Sequence, residues 1–109
     1  MDGVYLKIYV TEFSKYDGRL LYEWMVEKAH NLGVPGCSVF RAIAGYGRHG
    51  KLHEETFFEL AGDLPIEVGF VMSEQQGKDF LKLLEEHRLD LFYVLVRAEY
   101  GTVGRTLKG

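Results

Sequence analysis

Residues 45–50 read Gly45-Tyr46-Gly47-Arg48-His49-Gly50, a G-x-G-x-x-G spacing whose glycines let backbone N–H groups approach a phosphate without side-chain interference. Charge gathers around it. From Arg41 to His53 the chain carries Arg41, Arg48 and Lys51 together with His49 and His53, and no acidic residue before Glu54. Arginine binds phosphate oxygens bidentately and lysine adds a point charge, so the cluster suits a di- or triphosphate. The tail repeats the theme more sparsely in Gly101-Thr102-Val103-Gly104-Arg105. A dinucleotide fingerprint would lie between a first strand and a long helix. Here the motif follows a second strand, and the stretch 52–60 is short and runs into Asp63-Leu64-Pro65. A plain hairpin connection is the alternative reading of the same glycines.

Other chemistry-bearing residues are less organised. His49 and His53 lie four apart beside Glu54 and Glu55, one face of a helix if the segment were helical. The zincin pattern breaks where Glu55, Thr56 and Phe57 follow His53-Glu54, so no metal is expected, and a metal-assisted hydrolase using His49, His53 and Glu54 stays only as an alternative function. No nucleophile–base pair or carboxylate pair recommends an enzyme. His30 and His87 fall at the ends of predicted helices, where the dipole favours a cationic ring, and are expected to be structural. Trp24 is expected to pack rather than stack on a ligand. The single Cys37 excludes an internal disulfide; it is expected to be a small buried hydrophobe in a reducing compartment.

Composition bounds what these residues can serve. The chain has 109 residues, a net charge of -3, 47% hydrophobic and 14% aromatic residues, and 13 glycines against two prolines. That apolar content excludes disorder, and the mild acidity excludes a protein that coats nucleic acid or anionic lipid. No nucleic acid partner is expected, and any anion site must be local. The longest apolar run, 91–96, is far too short for a membrane span of roughly 18 residues or more. No basic-then-apolar leader opens the sequence, so a cytoplasmic location without membrane insertion is expected.

The elements that must position the cluster follow from periodicity. Val4, Leu6, Ile8 and Val10 alternate with Tyr5, Lys7, Tyr9 and Thr11 as a strand. Leu21, Met25, Ala29 and Leu32 mark a helix over about 18–32, stopped by Gly33 and Pro35. Residues 37–44 have strand composition, and Ile66, Val68 and Phe70 form a third strand after Asp63-Leu64-Pro65. Ser73 and Gln76 match a capping box for a second helix ending near His87, with Phe80, Leu81 and Leu84 as its buried stripe. Residues 93–100 complete the set. The order predicts an α+β, ferredoxin-like βαββαβ domain over 1–109, a four-stranded antiparallel sheet with two helices on one face. The uncovered face would carry Tyr5, Lys7, Tyr9 and either Leu95 and Arg97 or their neighbours, which favours packing against further copies. RNA-recognition modules share this order, but Val68-Gly69-Phe70-Val71 lacks the basic residue before the glycine, leaving an RNA-binding sheet only as an alternative.

Arg41-Ala42-Ile43-Ala44-Gly45-Tyr46-Gly47, with Leu52-His53, Asp63-Leu64-Pro65-Ile66 and Leu21-Tyr22-Glu23, resembles the uncharacterised PII-like family known as domain of unknown function one-ninety. The resemblance implies a homotrimeric regulatory protein, not an enzyme, with an adenine nucleotide (AMP, ADP or ATP) in a cleft between subunits. It further implies that the loop after the second strand signals to a protein partner such as a membrane transporter or an enzyme. Carried over by position, Gly45, Gly47 and Arg48 form the loop base near phosphate and Arg41 supports them from the strand. Tyr46, His49, Gly50, Lys51 and His53 follow on the same loop, and Arg97 and Arg105 come from the region that closes the cleft. Ala61 and Met72 stand where the family usually has serine and aspartate, and the loop lacks the glutamine that serves 2-oxoglutarate in true PII proteins.

Overall fold

The computed structural model describes residues 1–45 and 64–104. Strand β1 is Asp2–Thr11, followed by a small hairpin of β2 (Lys15–Tyr16) and β3 (Arg19–Leu20), helix α1 (Leu21–Asn31) and strand β4 (Gly36–Arg41). Beyond the undescribed segment come β5 (Pro65–Met72), helix α2 (Glu74–Glu86) and β6 (Phe92–Glu99). Four strands form one antiparallel sheet in the order β4-β5-β1-β6. The expected α+β, ferredoxin-like sheet with two helices is therefore present.

The alternation in β1 does what a period of two requires. Val4, Leu6, Ile8 and Val10 are buried under the helices, and their partners Met72, Phe70, Val68 and Ile66 on β5 are buried with them. Leu21, Trp24, Met25 and Ala29 of α1 and Phe80 and Leu84 of α2 close this core. Leu32, expected on the buried stripe, stands exposed just past the end of α1.

Helix α2 starts as its sequence demands. Ser73 Oγ accepts from the Gln76 backbone N–H at 3.0 Å, and the Gln76 side-chain oxygen accepts from the Ser73 N–H at 2.9 Å. Gln76 Nε2 also donates to the Gly33 carbonyl at 3.1 Å, tying the α2 start to the α1 end. Ser73→Ala removes the acceptor for an end-of-helix donor and is expected to cost about 0.5–2 kcal/mol, read as a lowered urea midpoint with unchanged slope.

Helix α1 begins three residues later than its periodicity suggests, because Asp17 (φ 55°) and Gly18 (φ 80°) turn the chain between β2 and β3. Asp-Gly is the pair that tolerates two consecutive positive φ values in a tight hairpin. The hairpin is pinned to both helices by aromatic contacts. Tyr16 Oη lies 2.7 Å from His87 Nδ1, and the Trp24 ring meets Tyr16 and His87 edge-on at 4.8 and 4.9 Å. Trp24, only 2% exposed, is a packing residue, and His87 caps α2 and holds the hairpin.

Cys37 departs from expectation: it is exposed. It lies on β4, an edge strand, so it lacks a second neighbouring strand. What burial the thiol retains pushes its pKa up, away from the reactive thiolate.

Candidate functional site

The described part of the predicted phosphate cluster is Arg41, Ala42 and the approach to Gly45. Arg41 ends β4 opposite Ile66, so its side chain leaves on the helix side of the sheet. Its guanidinium is already engaged. Arg41 Nε and Nη2 donate to Glu12 Oε2 at 3.1 and 2.5 Å, an ion pair in which the arginine side chain is 56% exposed and the glutamate 13%. Glu12 follows β1 directly, and its own backbone N–H donates to the Leu64 carbonyl at 2.7 Å. The Ala42 N–H donates to the Pro65 carbonyl at 2.9 Å. Glu12 thus touches both stems of the 46–63 segment, one through its side chain and the other through its backbone. Nothing near Glu12 in the sequence announces this role; the partners are brought together only by the pairing of β1, β4 and β5.

Gly45 lies at the end of the described stem, and among the described residues no atom lies within 4 Å of where a Cβ would stand. Tyr46, Gly47, Arg48, His49, Gly50, Lys51 and His53 lie outside the described residues, as does Arg105 in the tail. So do the proposed hydrolase residues His49, His53 and Glu54. Among the described residues no group of three His, Cys, Asp or Glu side chains could hold a metal ion.

Arg97 is placed far from Arg41. It lies opposite Val4 on β6, while Arg41 reaches Val10 through Ile66. Three strand spacings of about 4.8 Å separate the two edges, and the six-residue offset along β1 adds about 20 Å. Their Cα atoms are therefore roughly 25 Å apart on diagonal corners of one sheet. Arg97 Nη1 instead approaches Glu74 Oε1 at 3.5 Å on the helix side. One chain does not bring the two arginines together; a site using both needs a second copy.

The register also decides the uncovered face. Tyr5, Lys7 and Tyr9 share it with their β6 partners Val96, Val94 and Phe92, whereas Leu95 and Arg97 turn toward the helices. Phe92, Val94 and Val96 are 46%, 37% and 46% exposed, and Phe40 from β4, at the opposite edge of the same face, is 56% exposed. The Tyr5 ring lies across Gly69, where an added Cβ would meet the hydroxyl at 2.5 Å, so this close approach admits only glycine without moving the ring. Tyr9 is hydrogen-bonded to Glu67, and burial together with that carboxylate holds its phenol above the ordinary tyrosine range.

A groove not anticipated from the sequence runs between α2 and the start of β6. Its volume is about 770 Å³; Leu81, Leu84 and Tyr93 line it, and Lys78, Lys82 and Arg88 stand along it together with Glu85 and Asp90. Arg88, at φ 60°, turns the chain out of α2, and β6 then starts opposite Tyr9, at the end of the sheet from which the 46–63 segment departs. The cations had no recognisable motif around them. Among the described residues no helix is long and apolar enough to cross a membrane.

Residues 3–99 match the profile of the family DUF190, described as "Uncharacterized ACR, COG1993". The chain belongs to the DUF190 family. A UPF0166 protein of Aquifex aeolicus (strain VF5) is 35% identical over 77 residues, covering 71% of this chain and 73% of that protein. The UPF0166 protein MJ1524 of Methanocaldococcus jannaschii is 33% identical over 81 residues, 74% of each chain. Solved structures similar to this DUF190 chain carry the same fold at low identity. One is TTHA0516 of Thermus thermophilus, a candidate PII-like signaling protein, with TM-score 0.59 and 16% identity over 89% of this chain and 87% of that one. Another is CPII of Thiomonas intermedia K12, whose structure holds ADP, AMP and acetate; it aligns with TM-score 0.64 and 14% identity over 93% of this chain and 90% of its own. The DUF190 chain thus has a PII-like fold.

Proposed function

We propose that this protein is a cytoplasmic, non-enzymatic PII-like regulator that binds an adenine nucleotide between the subunits of a homotrimer. The single observation that carries the reading is the shared fold with CPII, whose structure holds ADP and AMP, across nine-tenths of the chain. Two features of the chain support it. The G-x-G-x-x-G cluster with Arg48 and Lys51 follows directly from the stem that holds Arg41. Arg41 and Arg97 sit on opposite edges of one sheet, so a second copy is what would set one beside the region of the other.

In this reading the phosphates bind at Gly45, Gly47, Arg48 and Lys51 with Arg41 behind them, and Arg97 and Arg105 close the cleft from the next subunit. Occupancy favours one arrangement of the signalling segment after β4, and a protein partner reads it; the free energy available is the nucleotide's differential affinity for the two arrangements. The domain 1–109 acts as one unit. Calorimetric titration with AMP, ADP and ATP tests it, with saturable binding expected for at least one. Absence of both heat and thermal shift with all three overturns the nucleotide reading. Arg41→Ala removes charge-assisted bonds to phosphate and is expected to weaken the best-bound nucleotide about 10–100-fold while leaving the melting temperature within a few degrees. An unchanged affinity would move the site away from the β4 stem.

A further inference from the structure

We infer that Glu12 is a built-in competitor of the nucleotide's phosphates for Arg41, and so sets the affinity and charge preference of the anion site. This rests on the nucleotide reading above. The carboxylate takes Arg41 Nε and Nη2 on a single oxygen at 3.1 and 2.5 Å, which occupies the side-on fork of the guanidinium. A phosphate must then either displace Glu12 from that fork or bind the end-on fork next to a carboxylate. Displacement leaves a carboxylate that is only 13% exposed without its cation, a cost set against phosphate binding. Binding beside it is opposed by like charge, and the opposition grows with each phosphate.

Geometry fixes Glu12 in this role. Its backbone is hydrogen-bonded to Leu64, and its side chain is only 13% exposed, so the carboxylate cannot swing freely into solvent when a phosphate arrives. The neighbouring pair Arg19–Glu27, at 2.6 Å, provides the contrast. There the glutamate is 53% exposed on α1 and is paired with Arg19, so its charge is screened by solvent and does not bear on Arg41.

The test is calorimetric titration of the full chain with AMP, ADP and ATP, comparing wild type, Glu12→Gln, Glu27→Gln and Glu12→Gln combined with Arg41→Ala. Glutamine keeps an oxygen that can accept from Arg41 and removes the charge. Glu12→Gln is expected to bind ATP roughly three- to tenfold more tightly, with a smaller gain for AMP. Glu27→Gln should change nothing, which separates local competition from the altered net charge. The gain should vanish in the double variant, because the competition is for Arg41. If Glu12→Gln lowers the melting temperature by more than a few degrees, Glu12→Ala carries the same expectation. Nucleotide binding by wild type with equal or weaker binding by both Glu12 variants overturns this inference alone and makes the pair a purely structural tie. No binding by any form overturns it together with the nucleotide reading.

Discussion

Phe80→Ala is expected to destabilise the protein by about 3–5 kcal/mol, the largest loss available from any single truncation in α2. Phe80 is 0% exposed and meets the equally buried Phe70 at a ring-centroid distance of 4.9 Å, tilted by 59°. Only Gly77, Phe80 and Leu84 of α2 are buried, so this ring is the largest side chain the helix places in the core. Phe70 lies on β5, between β4 and β1, so the cavity left by truncation opens above an interior strand where the surroundings cannot collapse easily. Against a total stability of about 5–15 kcal/mol, such a loss removes about a fifth at the least. Urea unfolding at fixed protomer concentration measures it, since assembly makes stability depend on concentration. A loss below about 1.5 kcal/mol would show that α2 is held chiefly by its caps. Phe70→Ala should be comparable, and the double variant less than additive, because the two rings share one contact.

How far the fold is legible depends on whether each element's pattern is local. The alternation Val4, Leu6, Ile8, Val10 and the pair Ser73 and Gln76 state their roles within a few residues, and the structure agrees with both. The β2–β3 hairpin escapes the sequence although Asp17-Gly18 is a turn signal, because strands of two residues leave no alternation for it to join. Cys37 reads as a core residue in a strand-like run, yet strand order puts β4 at an edge, and order is not encoded in the run itself. The same limit applies to the site. Arg41 can be singled out by its place before the glycines, but its partner Glu12 is 29 residues away and reaches it through two strand pairings. Arg97 can be placed on β6 but not on a face; a shift of one residue in register would exchange it with Val96.

That register supports a second large effect: Val96→Asp is expected to dissociate the assembly and abolish nucleotide binding with it. Both helices lie on one face of the sheet, so the opposite face presents Tyr5, Tyr9, Phe40, Phe92, Val94 and Val96 to whatever covers it. Its central polar groups are partly satisfied within the chain, since Lys7 Nζ lies 5.6 Å from the Tyr5 ring centroid and Tyr9 bonds to Glu67. In the proposed homotrimer this face is the contact between subunits. A carboxylate at position 96 would be desolvated once per subunit; Lys7 stands opposite Val94 with its Nζ over the Tyr5 ring and meets the new charge only diagonally, so the cost is several kcal/mol each. Subunit association should weaken by roughly a thousandfold or more, seen in sedimentation equilibrium as a shift from trimer to monomer. Because Arg41 and Arg97 cannot meet within one chain, loss of the trimer removes the cleft, and calorimetry should find no nucleotide binding at concentrations that saturate wild type. Val103→Asp is the control: it adds the same charge at a residue 99% exposed beyond β6 and should leave both assembly and binding intact. A monomeric Val96→Asp variant that still bound ATP as tightly as wild type would place the site within a single chain, and the stem of β4 with Glu12 and Arg41 would then have to form it alone.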